Sequence, residues 1–494
     1  MKKDQKRRGL NWVLLGSLYL AELCVPAILF SLYRLSSKPD FAAFLLSRPG
    51  ALFLFAASAF AVSSTIVIHQ LVKSLRTGTQ RGYLLTLSMN VAVVLVIGGT
   101  GEVALRLFSV KTLEGLTLGG KLLRPRIWHD LAERHTHALH RASTGETYLV
   151  FDQHKGWTVG ADRVSEDRLY LSSVEGIRSP TPEFSFAKQP ASCRIAILGD
   201  SFAFGQEVSF DDSWGHHLEL ALGQTCQVLN FGVPGYGVDQ MYLRYMKDVR
   251  AWNPDVVIFA FVDADVDRSM SVYGFLLFPH GTMPFPKPRF VLAGGQLSIF
   301  NNPLPEPEDL FAKSSIQELP FITYDRRYDE REWDRPRWRF LYHFYLFRFL
   351  ISWYALWESP RGEVSDQAMK SLNQEILRSF LQETSLVKSI PLLIYLPFAI
   401  DYERPRDYEP MGLNILRSAG FPHVDLRPCL RQEPIERYFM PRGRGQHYSP
   451  EGNRQIARCV HDVLIPHLNQ RQDASAPRAV TMLDESRAAI VAVR

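Results

Sequence analysis

Ser201 and His447 are the residues of this chain best placed for nucleophilic chemistry. Ser201 closes a short apolar run, Arg194-Ile-Ala-Ile-Leu-Gly-Asp-Ser. The pattern puts its hydroxyl at the carboxyl end of a buried parallel strand, where open α/β sheets keep their ligands. His447 lies in Gln446-His-Tyr-Ser-Pro-Glu-Gly-Asn, just ahead of a helix announced by Ser449 as N-cap and Pro450 at its first position. A hydroxyl alone is a weak nucleophile. An imidazole brought to it from a distant loop can take its proton.

The elements that must position this pair follow from hydrophobic periodicity. Strands are predicted at Arg194–Leu198, Gln227–Asn230, Asp255–Val262, Pro391–Leu396 and His423–Leu426. Helices are predicted at Ser213–Leu222, Asp239–Trp252, Asp366–Val387, Asp407–Ala419 and Ser449–Leu468, the second stopped by Asn253-Pro254. Strands alternating with helices argue for an α/β fold, a flavodoxin-like parallel sheet with helices on both faces. Residues 269–360 interrupt the alternation with an aromatic- and proline-rich insertion. It contains a hairpin over Val291–Phe300 and an apolar run, Trp338–Trp357, expected to pack on the sheet rather than lie on a membrane surface. Residues 109–190 read as a membrane-proximal segment that wraps the core, and 469–494 as a polar, disordered tail.

Residues 1–108 read as a membrane domain. Three apolar runs, Leu10–Leu35, Ala51–Val72 and Gly82–Phe108, are each about long enough for a bilayer core, which needs roughly 20 residues. The first run exceeds a signal-peptide core and has no small-residue cleavage site, so three transmembrane helices are expected. Lys2, Lys3, Lys6, Arg7 and Arg8 precede the first run, and Lys73, Arg76 and Arg81 separate the second from the third. That bias puts the N-terminus in the cytosol and everything after Phe108 outside, in the periplasm if the host is a bacterium.

The 494 residues carry 56 basic and 51 acidic side chains for a net charge of +5, much of it in the cytosolic flank. The outer part is nearly balanced and shows no nucleic-acid footprint. Four of the 5 cysteines fall in the outer part. Cys193 and Cys226 open neighbouring strands, and Cys429 and Cys459 lie on elements that pack together. Disulfides 193–226 and 429–459, or four buried thiols, are the alternatives. His129, His135, His137 and His140 lack a carboxylate motif to complete a metal site. Asp263, Asp265 and Asp267 lack the glycine and glutamate of a calcium loop, since Arg268 and Gly274 stand at those positions. No metal or cofactor is expected.

Four stretches in order, Gly199-Asp-Ser-Phe, Asn230-Phe-Gly-Val-Pro-Gly-Tyr-Gly, Phe261-Val-Asp-Ala-Asp and His447-Tyr-Ser-Pro-Glu-Gly-Asn, resemble the SGNH/GDSL hydrolase family, in particular its membrane-anchored bacterial members. They span 194–468 of a domain bounded at 191–468. The resemblance implies Ser201 as nucleophile, His447 as general base, and the backbone N–H groups of Ser201 and Gly232 as oxyanion donors. Asp200 is expected to hydrogen-bond the loop, and Asp265 matches the family's structural aspartate. Two positions depart from the pattern. Ala264 stands where the family has an oxyanion-binding asparagine, a loss of roughly 3 kcal/mol of transition-state stabilisation. Arg444 and Gly445 stand where it has the aspartate that orients the histidine. Asp425, Glu433 or Glu436 could supply that carboxylate, a Ser–His dyad could suffice, or the domain could have lost activity.

The implied function is esterase chemistry on acyl, chiefly O-acetyl, esters of envelope or secreted glycans. The alternatives are O-acetyl transfer to a polysaccharide with a membrane acyl-transfer partner, or a non-catalytic glycan-binding subunit. The partners implied are the membrane and an acylated glycan.

Overall fold

The computed structural model describes residues 14, 16–25, 27–28, 48–77, 80–143, 147–189, 191–223, 225–279, 281, 283–354, 366–405, 407–431, 434–441 and 446–475. The first two long helices among the described residues are α1 (Arg48–Thr77) and α2 (Gln80–Phe108). Both contain stretches apolar and long enough to cross a bilayer, Phe53–Ser74 and Leu84–Phe108. Their flanks leave large apolar side chains uncovered, among them Phe55, Val62, Leu95, Ile97, Leu107 and Phe108. Of the first apolar run only a short helical stretch, Gly16–Val25, is apolar and described. Among the described residues there are thus two spanning-length helices rather than three. A helix α3 (Trp128–Ser143) and two small hairpins (109–118 and 149–159) lead to the main sheet.

From β1 (Arg194–Gly199) the chain passes α4 (Ser201–Phe204) and α5 (Trp214–Ala221) to β2 (Gln227–Asn230). It continues through α6 (Val238–Arg244), β3 (Val256–Phe261) and α7 (Asp263–Arg268) into the insertion, where α8 (Tyr345–Tyr354) lies. It returns by α9 (Asp366–Leu386), β4 (Ile390–Tyr395), α10 (Met411–Ser418), β5 (His423–Asp425) and α11 (Pro450–Ser475). All five strands are parallel, in the order 2-1-3-4-5. That is the flavodoxin-like order, with its switch point beside β1 and β3.

The central strands read as unbroken apolar runs because both faces are covered, and every residue of β3 is buried. Alternation along the strand then assigns side chains to faces. Ile195 and Ile197 pack with Trp214, Leu218, Ile456 and Val460 of α5 and α11. Ala196 and Leu198 belong to the opposite cluster, with Ile376, Phe380 and Leu413 of α9 and α10. Both disulfides are formed, Cys193–Cys226 across the starts of β1 and β2 and Cys429–Cys459 onto α11.

Three expectations need adjustment. The helix predicted over 239–252 is α only through Arg244; a wider turn (Tyr245–Val249) and a tighter one (Arg250–Trp252) finish it. The closing helix continues past Leu468, through Pro466, to Ser475, and 476–494 lie outside the described residues. The aromatic run does not pack on the sheet: α8 docks on the end of α2. There the Glu102 carboxylate accepts the N–H groups of Tyr345 (3.0 Å) and Leu346 (2.7 Å). Arg106 of α2 donates to the carbonyl of His343 at 2.6 Å.

Segment 109–189 shares the hydrophobic cluster of the sheet through Trp128, Trp157, Val159 and Ile177. Trp157 donates from its indole to the Pro234 carbonyl at 3.0 Å, and the Tyr236 hydroxyl donates to the Trp157 carbonyl at 2.6 Å. The insertion is tied in by a fully buried ion pair between Lys287 and Asp239.

Candidate active site

Asp200 follows β1 directly and caps α4, its Oδ1 accepting the Phe202 N–H at 2.8 Å. Its Oδ2 accepts from Arg268 at 3.0 Å and lies 3.3 Å from Ser201 Oγ. Arg268 also binds Asp265 at 2.5 Å and the Tyr236 carbonyl at 3.2 Å. Burial beside Asp200 raises the pKa of Asp265, and the two carboxylates hold that of Arg268 above its usual value. The cluster fixes the nucleophile loop. Neither aspartate is directed at His447.

His447 arrives from the loop before α11. Tyr448 anchors that loop by donating its hydroxyl to the Pro397 carbonyl at 2.7 Å. Asn453 Oδ1 accepts the Trp214 N–H at 3.1 Å, which locks the start of α11 to the start of α5. The imidazole stands against the Phe202 ring, centroids 4.8 Å apart. Its Nε2 lies 2.8 Å from Ser201 Oγ.

The carboxylate behind His447 is Glu207. Its Oε2 lies 3.1 Å from Nδ1 and also accepts the His447 backbone N–H at 3.1 Å. Neither of the two described candidates read from the sequence, Asp425 and Glu436, fills this place. Asp425 is clamped by Arg427 (2.8 Å) and faces Arg417 (3.4 Å). Glu436 is exposed, and Glu433, like Arg444 and Gly445, lies outside the described residues. Glu207 follows the serine by six positions, in a loop the reading of the histidine's flank does not visit. The available signal was Gly205-Gln-Glu, a glycine stop with a carboxylate just beyond it.

That loop carries backbone strain. Gly205 ends α4 at φ 78°, and Glu207 sits at φ 70°, a conformation that costs a side-chain-bearing residue about 1–3 kcal/mol. Gln446, next to the histidine, is also left-handed at φ 59°. Two residues of the wrapping segment hold the Glu207 loop. The Tyr170 hydroxyl accepts the Glu207 N–H at 2.9 Å. Arg178, 1% exposed, donates to the carbonyls of Phe204 (2.6 Å), Gly205 (2.5 Å) and Val208 (2.5 Å). Burial lowers its pKa to about 10, so it stays charged at neutral pH.

Gly232 requires a correction. Its N–H donates to Asn230 Oδ1 at 3.0 Å, so it is not free to meet an oxyanion. A Cβ there would lie 2.6 Å from the Phe204 nitrogen, so the glycine is needed for packing against α4. The N–H of Gly235, at φ 83°, has no acceptor among the described residues, and neither has that of Ser201. Gly235 adjoins Tyr236, whose carbonyl shares Arg268 with Asp200. Ala264 is exposed on the first turn of α7 and offers no donor.

The other polar clusters diverge. Asp263 accepts the Gly412 N–H at 2.7 Å, while Asp267 pairs with Arg326 and Arg327. His135 turns inward between Phe275 and Phe311, and His129, His137 and His140 are exposed. No group of metal-binding side chains occurs among the described residues.

No protein-family model matches the chain, and no curated protein does. Solved structures with a similar fold include a lipase/acylhydrolase from Enterococcus faecalis, 13% identical over 56% of this chain and 96% of that one, TM-score 0.29. An acetyl xylan esterase is 14% identical over 55% of this chain and 99% of that one, TM-score 0.27. A catalytic mutant of an acetylxylan esterase from Geobacillus stearothermophilus is 14% identical over 55% of this chain and 94% of that one, TM-score 0.28. At such identities and TM-scores the reading of this chain rests on its own Ser201–His447–Glu207 array.

Proposed function

We propose that this chain is a membrane-anchored serine esterase of the SGNH/GDSL type, acting outside the cytosol on acyl esters of glycans, O-acetyl groups above all. The observation that carries the reading is the continuous relay from Ser201 Oγ to His447 Nε2 (2.8 Å) and from Nδ1 to Glu207 (3.1 Å). His447 takes the serine proton as Oγ attacks the ester carbonyl. Glu207 holds the ring with Nδ1 protonated and stabilises the imidazolium. The N–H groups of Ser201 and Gly235 supply the oxyanion donors. The imidazolium then gives its proton to the departing sugar oxygen, which leaves as the hydroxyl, and water deprotonated by the same ring releases the acyl group from Ser201.

The membrane part of the reading is supported by the exposed apolar flanks of α1 and α2 and by the lysine and arginine bias around them. Those helices equally suit a transferase in which a glycan hydroxyl replaces water at the acyl-enzyme. The test is labelling of the full-length protein in detergent with a fluorophosphonate, alongside Ser201→Ala, His447→Ala and Glu207→Ala. Labelling lost in the first and strongly slowed in the other two supports the relay; no labelling of folded wild-type protein overturns it. Acetate release from acetylated glycans, with and without unacetylated acceptor, separates hydrolysis from transfer.

A further inference from the structure

A cavity of about 360 Å³ lies well apart in sequence from Ser201, His447 and Glu207. It is walled by the hairpin that follows α2, the start of α3, buried Trp333, and α8. Its cations are unequally matched. Lys111 pairs with Asp130 at 2.9 Å, and Arg126 faces Glu114 at 3.9 Å and Glu332 at 3.8 Å. Arg134 and Arg348 have no carboxylate within ion-pair distance among the described residues.

Among the described residues Arg134 donates to the Leu113 carbonyl, at 2.6 Å, and its buried Nε has no acceptor. Arg348, 7% exposed, spends Nη2 on the carbonyls of Leu123 (2.8 Å) and Pro125 (2.7 Å), and its Nε also lacks an acceptor. Burying the Arg348 guanidinium without a directly paired anion is costly. Burial lowers the pKa of both groups; Asp130, which also lines the cavity, offsets this only in part for each, and Asp334 does so for Arg348, so a bound anion would relieve the remainder. Glu133 also lines the cavity but is exposed to solvent.

The surroundings of the cavity are apolar on the side of α2. Leu113, which lines it, is exposed, as are Val110 and Phe344, the neighbours in sequence of lining residues Lys111 and Tyr345, and Leu107 and Phe108 at the end of α2. Such a rim suits the level at which a spanning helix leaves the hydrocarbon and headgroups begin. We propose that this cavity holds the phosphate-ester headgroup of an anionic membrane lipid, with Arg134 and Arg348 as its cations. The site ties the outer domain to the bilayer surface through α8 and Glu102. It rests on the reading that α1 and α2 span a membrane.

The test uses full-length protein in a neutral detergent, titrated with dihexanoyl-phosphatidylglycerol, dihexanoyl-phosphatidylcholine, glycerol 3-phosphate and inorganic phosphate, with binding read by calorimetry. The expected result is at least tenfold tighter binding of the phosphatidylglycerol than of the other three. Arg134→Gln, on a partly exposed side chain, should weaken it about tenfold, the worth of one charge-assisted bond, with esterase turnover unchanged. Arg348→Leu should abolish it; should that variant misfold, Arg134→Gln alone decides. Equal binding of both lipids, equal binding of glycerol 3-phosphate, or no effect of Arg134→Gln overturns the proposal. Alkaline carbonate extraction of membranes checks separately whether the chain is integral, so a failed anchor and a failed headgroup site are told apart.

Discussion

Replacing Glu207 by glutamine keeps the side chain's length and one oxygen but removes the charge behind His447. In the structure one carboxylate oxygen holds both the ring Nδ1 and the backbone N–H of His447, each at 3.1 Å. An amide oxygen can accept both, so the ring should stay in place. The imidazolium formed on attack loses its counter-charge. Two unit charges about 4 Å apart at an effective dielectric near 20 attract by about 4 kcal/mol. Both side chains are mostly but not fully buried, at 12% and 17% exposure, so solvent screening trims this. A 10²- to 10³-fold loss in kcat is expected, with little change in KM. The assay is steady-state hydrolysis of p-nitrophenyl acetate beside the rate of fluorophosphonate labelling, which should fall by the same factor. Asp425→Asn and Glu436→Gln serve as controls and should stay within twofold of wild type. If Glu207→Gln keeps activity within twofold while either control loses it, the relay drawn here is wrong.

Arg178→Met removes three charge-assisted bonds to the loop that carries Glu207 and should lower kcat at least tenfold; combined with Glu207→Ala it should lower kcat no further, a non-additivity that steady-state kinetics of the double mutant checks. Asp239→Ala leaves Lys287 buried and uncompensated, and should destabilise the α/β domain by about 3–5 kcal/mol in denaturant unfolding, whereas surface Asp211→Ala should not. His135 is buried without a partner at Nδ1, and burial lowers its pKa from 6.5 to about 4. Its neutral form is favoured in the folded state, so stability is full above the unfolded pKa and falls as pH drops from about 6.5 towards 4, by about 3 kcal/mol. His135→Leu should flatten that part of the stability–pH curve.

The sheet was legible because its signals are local. Apolar runs such as Val256–Phe261 need no partner to be seen, and Ser449-Pro450 marks the start of α11 by chemistry of its own. Ser201 and His447 were legible for the same reason, each sitting at the boundary of a strongly patterned element. Glu207 was not. Nothing in Gly205-Gln-Glu-Val distinguishes a catalytic carboxylate from a solvated one, because its place depends on a left-handed residue, on the turn after α4 and on the approach of the α11 loop. Gly232 misled in the opposite way. Its lack of a side chain serves contact with Phe204, while the N–H is consumed by Asn230. The α8 segment was misplaced because amphipathic periodicity states that a face is covered, not by what; the capping carboxylate, Glu102, comes from an apolar helix far away in sequence.

The origin of the carboxylate changes what the rest of the chain has to do. A carboxylate beside the histidine in sequence is carried by the histidine's own loop. Glu207 is carried by the nucleophile's loop, so serine and carboxylate move together and the histidine is gripped between them. That arrangement needs the 204–208 backbone held in a strained form, and much of the restraint comes from Tyr170 and Arg178, in the segment between α2 and β1. The same segment is tied to β2's exit loop through Trp157 and Tyr236, and its hairpin after α2 walls the arginine-lined cavity. The segment between α2 and β1 is therefore a structural part of the candidate site, since Tyr170 and Arg178 hold the loop whose carboxylate meets His447.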